Sequence, residues 1–185
     1  MSLLLSVGPW IAVLAVLVGC SAFFSSSESA IFSLPTASNE DASASGDATA
    51  SDGEPGTSGD GRAAATLADL RTDPHRLLVT LLVGNNLVNV AISSIVTLLV
   101  ARYLEPGPSV AVATVLAATL VLVFGEIVPK SYGLGHARAW SLRVARPIAV
   151  VERLLGPVVT LFDFVTRRFT RLIGGDADIE EPYTE

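Results

Sequence analysis

Cysteine occurs once, at Cys20, which excludes an internal disulfide framework. Histidine occurs twice, at His75 and His136, both expected near loops, so no zinc-type ligand set is present. No glycine-rich phosphate loop and no nucleophile paired with a base can be found, and the chain is not expected to be an enzyme. Only 16% of residues are charged and 6% aromatic, whereas 50% are hydrophobic. A mean hydropathy of +0.55 is too high for an ordinary soluble domain. Several apolar runs approach the ~20 residues that cross ~30 Å of hydrocarbon. The composition therefore predicts an all-α integral membrane protein.

The formal net charge is −6, but the charge is segregated. Acidic residues fill 35–65 and the C-terminal tail, and eight of the twelve basic residues lie between Lys130 and Arg171. Global acidity therefore defines no partner, and no nucleic acid is expected to bind. The basic cluster predicts orientation: a cytoplasmic C-terminus and, with three spans, an N-terminus outside the cell membrane.

Residues 1–34 form the first apolar segment, with Gly8-Pro9 expected at the start of its helix. A cleavable signal is the rival reading, since Leu17-Val18-Gly19-Cys20 resembles a lipoprotein cleavage site. No Lys or Arg precedes the apolar core, however, and apolar character resumes after Cys20, which favours a retained helix. Residues 36–65 carry no aliphatic larger than Ala and are expected to be a disordered acidic insert. Residues 63–76 read as a short amphipathic helix with Leu67 and Leu70 on one side. Asp73 is the expected cap, and Pro74 the first-turn residue, of the next helix.

Residues 77–100 form the second span, 102–108 a tight connection, and 109–128 the third span, rich in small residues that permit close contact. Gly133, Gly135 and His136 are expected to make a loop. Beyond it the chain is apolar and basic, with Pro147 and Pro157 breaking the pattern. Residues 158–173 have helical spacing with a basic face, which fits a helix lying in the interface. A fourth span over 148–165 is the alternative. Residues 176–185 are an acidic linker after a membrane domain of residues 1–175.

Three polar interruptions fall inside the apolar runs. Glu126, in Val123-Phe-Gly-Glu-Ile-Val-Pro-Lys130, would cost roughly 2.5–3.5 kcal/mol at a helix centre in a bilayer, so it is a functional candidate by default. Pro129 lacks an N–H and would free the carbonyl of Gly125 as a second oxygen. The alternative is a helix-end carboxylate paired with Lys130 at i+4. Gly84 can open the second span, and Asn85 and Asn89 share one helical face beside Asn86. Interhelical hydrogen bonding is the plainer role for these amides. Ser21, Ser25 and Ser29 form a hydroxyl stripe, which taken alone is also a packing face. Together the three places offer carboxylate, amide, hydroxyl and carbonyl oxygens with no soft ligand. That set suits a hard cation such as Mg²⁺ or Na⁺, held where broken helices meet at membrane depth.

Three stretches, Ser21-Ala-Phe-Phe-Ser-Ser-Ser-Glu28 with its continuation to Leu34, Leu81-Leu-Val-Gly-Asn-Asn-Leu-Val-Asn89 and Val123-Phe-Gly-Glu-Ile-Val-Pro-Lys130, occur in the order found in one family. They resemble the transmembrane domain of the CNNM/CorC magnesium transporters. The resemblance implies a homodimer in the lipid bilayer, three spanning helices per protomer and a cytoplasmic belt of juxtamembrane helices. It also implies a dehydrated Mg²⁺ between the helices and export coupled to Na⁺. On matching positions the implied ligands are Ser21, Ser25, the Gly84 carbonyl, Asn85, Asn89 and Glu126, with Asn86 and Pro129 shaping the helices. The chain departs from the family at Ser26, where glycine is usual, and in its longer acidic insert. Family members continue into CBS domains beyond a linker that Pro182-Tyr-Thr-Glu185 resembles, so ATP is not expected to bind these residues. A membrane scaffold or magnesium sensor that regulates another transporter is the second functional reading.

Overall fold

In the computed structural model the described residues are 2–35 and 58–172, except for the side chains of 2–6, 58–60, 163, 166, 167 and 169–172. The described elements are all helical: α1 (Ser2–Phe32), α2 (Ser58–Leu70), α3 (Pro74–Val100), α4 (Pro108–Leu120), a π-helical segment (Val121–Ile127), α5 (Val128–Gly135) and α6 (Ala137–Leu172). Three stretches are long and apolar enough to cross a membrane: Val7–Phe32, Pro74–Val100 and Pro108–Gly135. The third runs through α4, the π segment and α5. α6 is not among them.

Two apolar clusters hold the bundle. Ile92, Val96, Val100, Ala113 and Ala117 join α3 to α4, with Leu14, Leu17 and Val18 of α1 against them. Their small partners let the helices approach closely without a hydrophobic driving force. Phe24, Ile31, Leu67, Leu70, Leu77, Leu81, Val144, Ala145 and Ile148 gather α1, α2, α3 and α6 at the other end. Val88 borders both clusters and is flanked in sequence by the polar Asn85 and Asn89. Large apolar side chains such as Val16, Leu87, Val115 and Leu122 stay exposed, as lipid-facing residues must in a bundle of this kind.

Several local expectations are met and others corrected. Asp73 Oδ1 accepts a hydrogen bond from Arg76 N–H at 3.0 Å, and Pro74 opens α3. Leu67 and Leu70 are both buried. Their helix, however, starts at Ser58 and stops at Leu70. Residues 58–65 are thus helical rather than part of a disordered insert, because α2 docks on α6. Residues 36–57 and the acidic linker 176–185 lie outside the described residues. Arg71 Nη2 donates to the carbonyls of Leu34 at 3.1 Å and Pro35 at 2.7 Å, which pins the end of α1 to the end of α2.

Pro9 lies inside α1, not at its start, and Pro147 and Pro157 lie inside α6. Packing against α1, α2 and α3 keeps α6 helical where proline would break an isolated helix. The loop expected over Gly133, Gly135 and His136 shrinks to His136. Helix α5 continues to Gly135, and His136 departs from helical geometry with φ −127° and ψ 31°. The basic residues Lys130, Arg138, Arg143, Arg146 and Arg153 lie on α5 and α6, at the end of the bundle where α3 begins.

Candidate functional site

Helix α1 carries its serines inward. Ser21, Ser25 and Ser27 have no exposed surface and Ser26 almost none. Three glycines from the other spans make this possible. A Cβ on Gly125 would stand 2.6 Å from Ser21 Oγ, one on Gly84 would stand 2.8 Å from the Phe24 ring, and one on Gly133 would collide with the Ser26 carbonyl. The turn from Ser21 to Ser26 is therefore sunk into notches cut by α3, the π segment and α5. Its side chains are fixed by main-chain contact as well as by rotamer choice.

At the bottom of these notches the three polar interruptions meet. Ser21 Oγ lies 2.8 Å from Asn89 Oδ1 and 3.2 Å from Asn85 Oδ1. Asn89 turns its Nδ2 toward Glu126 Oε1 at 3.4 Å. Asn85, Asn89 and Glu126 are all partly buried. One hydroxyl carries one proton. Ser21 can satisfy one amide oxygen at a time, and the other then faces a lone pair. One turn along α1, Ser25 Oγ is fully buried without a hydrogen-bond partner. An unmet buried hydroxyl costs about 1–3 kcal/mol.

Only one of the three interruptions alters the backbone. α1 and α3 stay α-helical through their polar residues. Gly84 does not open α3; it makes room for Phe24, and its buried position leaves the helix intact. Side-chain bonding across helices meets the needs of the asparagines, so no unwinding is required. The third interruption is the π segment, in which Val128 N–H bonds to Val123 O, five residues back. Pro129 explains it. A proline ring presses on the carbonyl four residues earlier and supplies no N–H, and a widened turn accommodates both defects.

Lys130 does not pair with Glu126. Its Nζ lies 3.5 Å from Glu28 Oε2, across the α1–α5 contact. Among the described residues no basic side chain comes within ion-pair distance of Glu126, so the carboxylate is left to neutral partners. Asn86 is exposed and lines the clefts beside α3. His75 sits at the mouth of one of those clefts, and His136 stacks on Tyr132 with ring centroids 4.5 Å apart. Among the described residues, no group of three or more His, Cys, Asp or Glu side chains is placed to hold a metal. Any cation here must be bound mainly by neutral oxygens.

Sequence reasoning missed Trp140. Its Nε1–H donates to Ser26 Oγ at 3.1 Å, and Ser26 Oγ in turn donates to Phe23 O at 3.1 Å. Tyr132 meets the Trp140 ring edge-on at 5.4 Å. This ties the basic helix α6 to the buried serine turn. No periodic signal links residues 114 apart in the chain. Trp140→Phe stays aromatic but loses the indole N–H and part of the ring system, and the lost hydrogen bond alone should lower stability by about 1 kcal/mol. A double-mutant cycle with Ser26→Ala, read by thermal unfolding in detergent, should give a non-zero coupling; additivity would mean the bond contributes nothing.

A helical membrane protein with three candidate spans and a partly buried oxygen cluster between them is the class this geometry defines. Residues 11–185 match the family model described as the cyclin M transmembrane N-terminal domain. The chain belongs to that family. It is 35% identical over 122 residues to the UPF0053 inner membrane protein YfjD of Escherichia coli (strain K12), covering 64% of this chain and 27% of that protein. It is 32% identical over 175 residues to a DUF21 domain-containing chloroplastic protein of Arabidopsis thaliana, covering 94% of this chain and 24% of the other. A UPF0053 protein of Synechocystis is 28% identical over 159 residues, covering 86% of this chain and 41% of the relative. The chain thus spans about a quarter of the length of the first two relatives.

Proposed function

We propose that the chain is the membrane core of a divalent-cation transporter, with Mg²⁺ as cargo and export coupled to Na⁺. One observation carries the reading. Ser21 Oγ, Asn85 Oδ1 and Asn89 Oδ1 crowd together around a single hydroxyl proton, with separations of 2.8 and 3.2 Å. A cation placed among them would satisfy all three at once, and Glu126, one amide away, supplies the negative charge. The oxygens are hard donors, and Mg²⁺ sheds water only where several such donors are already placed. Ser25, buried and unpartnered, is the next hydroxyl in reach of the same helical face. The Gly84 carbonyl would join the set only through local unwinding of α3. The general link of this family to divalent-cation transport supports the same reading.

In this reading the basic end of the bundle is cytoplasmic in the cell membrane, the N-terminus is outside, and the protein is a homodimer whose mass light scattering in detergent would measure. A magnesium sensor is the second reading, favoured by the Trp140–Ser26 bond that joins the basic helix to the site. Flux of Mg²⁺ from liposomes containing the protein, with and without a Na⁺ gradient, separates the two. A transporter moves the ion and accelerates with the gradient. A sensor binds Mg²⁺ without flux, and that outcome would discard the transport reading.

A further inference from the structure

Asn89 of the site also lines a cleft of about 650 Å³ between α3 and α4. Its wall carries Asn86, Asn89, Ser93, Ser94 and Thr97 from α3 and Thr114 from α4. Asn89, Ser93 and Thr97 recur every fourth residue, so they form one line about 12 Å long on the helix surface. Asn89 belongs both to this line and to the oxygen cluster. The line runs toward Val100 and the turn at 101–107, away from the basic residues of α5 and α6.

The hydroxyls have a common orientation. Ser93 donates to Asn89 O at 2.9 Å, Ser94 to Val90 O at 2.9 Å, Thr97 to Ser93 O at 2.8 Å and Thr114 to Val110 O at 2.8 Å. Each proton is spent on the helix, so the polar part of the wall presents lone pairs, beside the aliphatic surface of Val90, Ala113, Ala117, Ala118 and Val121. Such a wall accepts hydrogen bonds from water and ligates cations, and offers an anion little. All four of these residues, and Asn86, are exposed. The Asn86 amide has no hydrogen bond among the described residues, a costly state in hydrocarbon and an easy one in water. Six waters around a cation, at ~30 Å³ each, occupy about 180 Å³, well within the cleft.

We propose that this cleft is a water-filled arm of the permeation route, joining the Asn89–Glu126 site to the membrane face opposite the basic belt. It rests on the transport reading above and specifies the path. Single cysteines at Ser93, Thr97 and Thr114, placed in a Cys20→Ala background and reconstituted in liposomes, test it with a cationic, membrane-impermeant thiosulfonate. Ser93→Cys, Thr97→Cys and Thr114→Cys should react about a hundredfold faster than Val115→Cys on the lipid-facing side of α4, the ratio set by the cost of taking a charge into hydrocarbon. An anionic reagent of similar size should be slower, and Mg²⁺ should protect Ser93→Cys. Reaction no faster than at Val115→Cys overturns the proposal. So does spontaneous disulfide cross-linking between protomers without labelling, which would make the cleft a contact between copies. Labelling needs no transport: a protein that labels but moves no Mg²⁺ fails the transport reading, and one that moves Mg²⁺ but does not label fails this one.

Discussion

Replacing Glu126 by Gln is expected to abolish Mg²⁺-dependent stabilisation and flux while leaving the fold intact. The substitution keeps the shape and one oxygen. It removes the negative charge, which no basic side chain among the described residues balances. Wild-type protein at an ion concentration a hundred times Kd should gain about 2.7 kcal/mol from binding. The variant should gain none, and its melting temperature should no longer follow Mg²⁺. Without the ion it should be as stable as the wild type or more so, because a partly buried carboxylate without a cationic partner costs more than an amide. Ser21→Ala is the milder companion. It removes the shared hydroxyl but keeps Asn85, Asn89 and Glu126, so it should weaken binding without ending it. Mg²⁺-dependent melting of Glu126→Gln at wild-type strength would place the site elsewhere.

Gly133→Ala should cause the largest loss of stability among the single-methyl substitutions. The added carbon would meet the main-chain carbonyl of Ser26, and backbone in the middle of α1 has nowhere to go. Overpacking of this kind costs about 1–3 kcal/mol and more where the neighbour is rigid. Gly84→Ala meets the far edge of the Phe24 ring, which can tilt, and should cost less. Gly125→Ala meets Ser21 Oγ, which can rotate away, so its main effect should fall on ion binding. Gly135 is the control, because a Cβ there meets nothing within 4 Å. Gly135→Ala should be neutral or slightly stabilising, since alanine is favoured over glycine in a helix. Thermal unfolding of the four variants in one detergent gives the order, and equal effects at Gly133 and Gly135 would refute the notch.

The sequence by itself determined that this is an all-helical membrane protein with three spans, because long apolar runs have few other outcomes when ~20 residues must bury their own polar backbone. It also singled out Ser21, Ser25, Asn85, Asn89 and Glu126, because polar side chains inside such runs are costly and therefore conspicuous. Asp73 and Pro74 were legible for a local reason, since a cap and a first-turn proline need only their own helix. Contacts between distant residues were not. Lys130 stands four residues from Glu126 in sequence yet pairs with Glu28, because α5 packs on α1. Pro147 and Pro157 read as breaks, but neighbours on three helices hold α6 together around them. Gly84 read as a break in α3 and proved to be a notch for Phe24. The π segment lies next to Pro129, and its Gly125 sits close against Ser21, a contact no spacing along the chain announces. Only the tertiary structure decided that the three separate polar places meet, with Ser21 against the amide oxygens of Asn85 and Asn89 and Asn89 against Glu126, since hydrogen-bond partners are fixed by packing between helices and not by spacing along any of them.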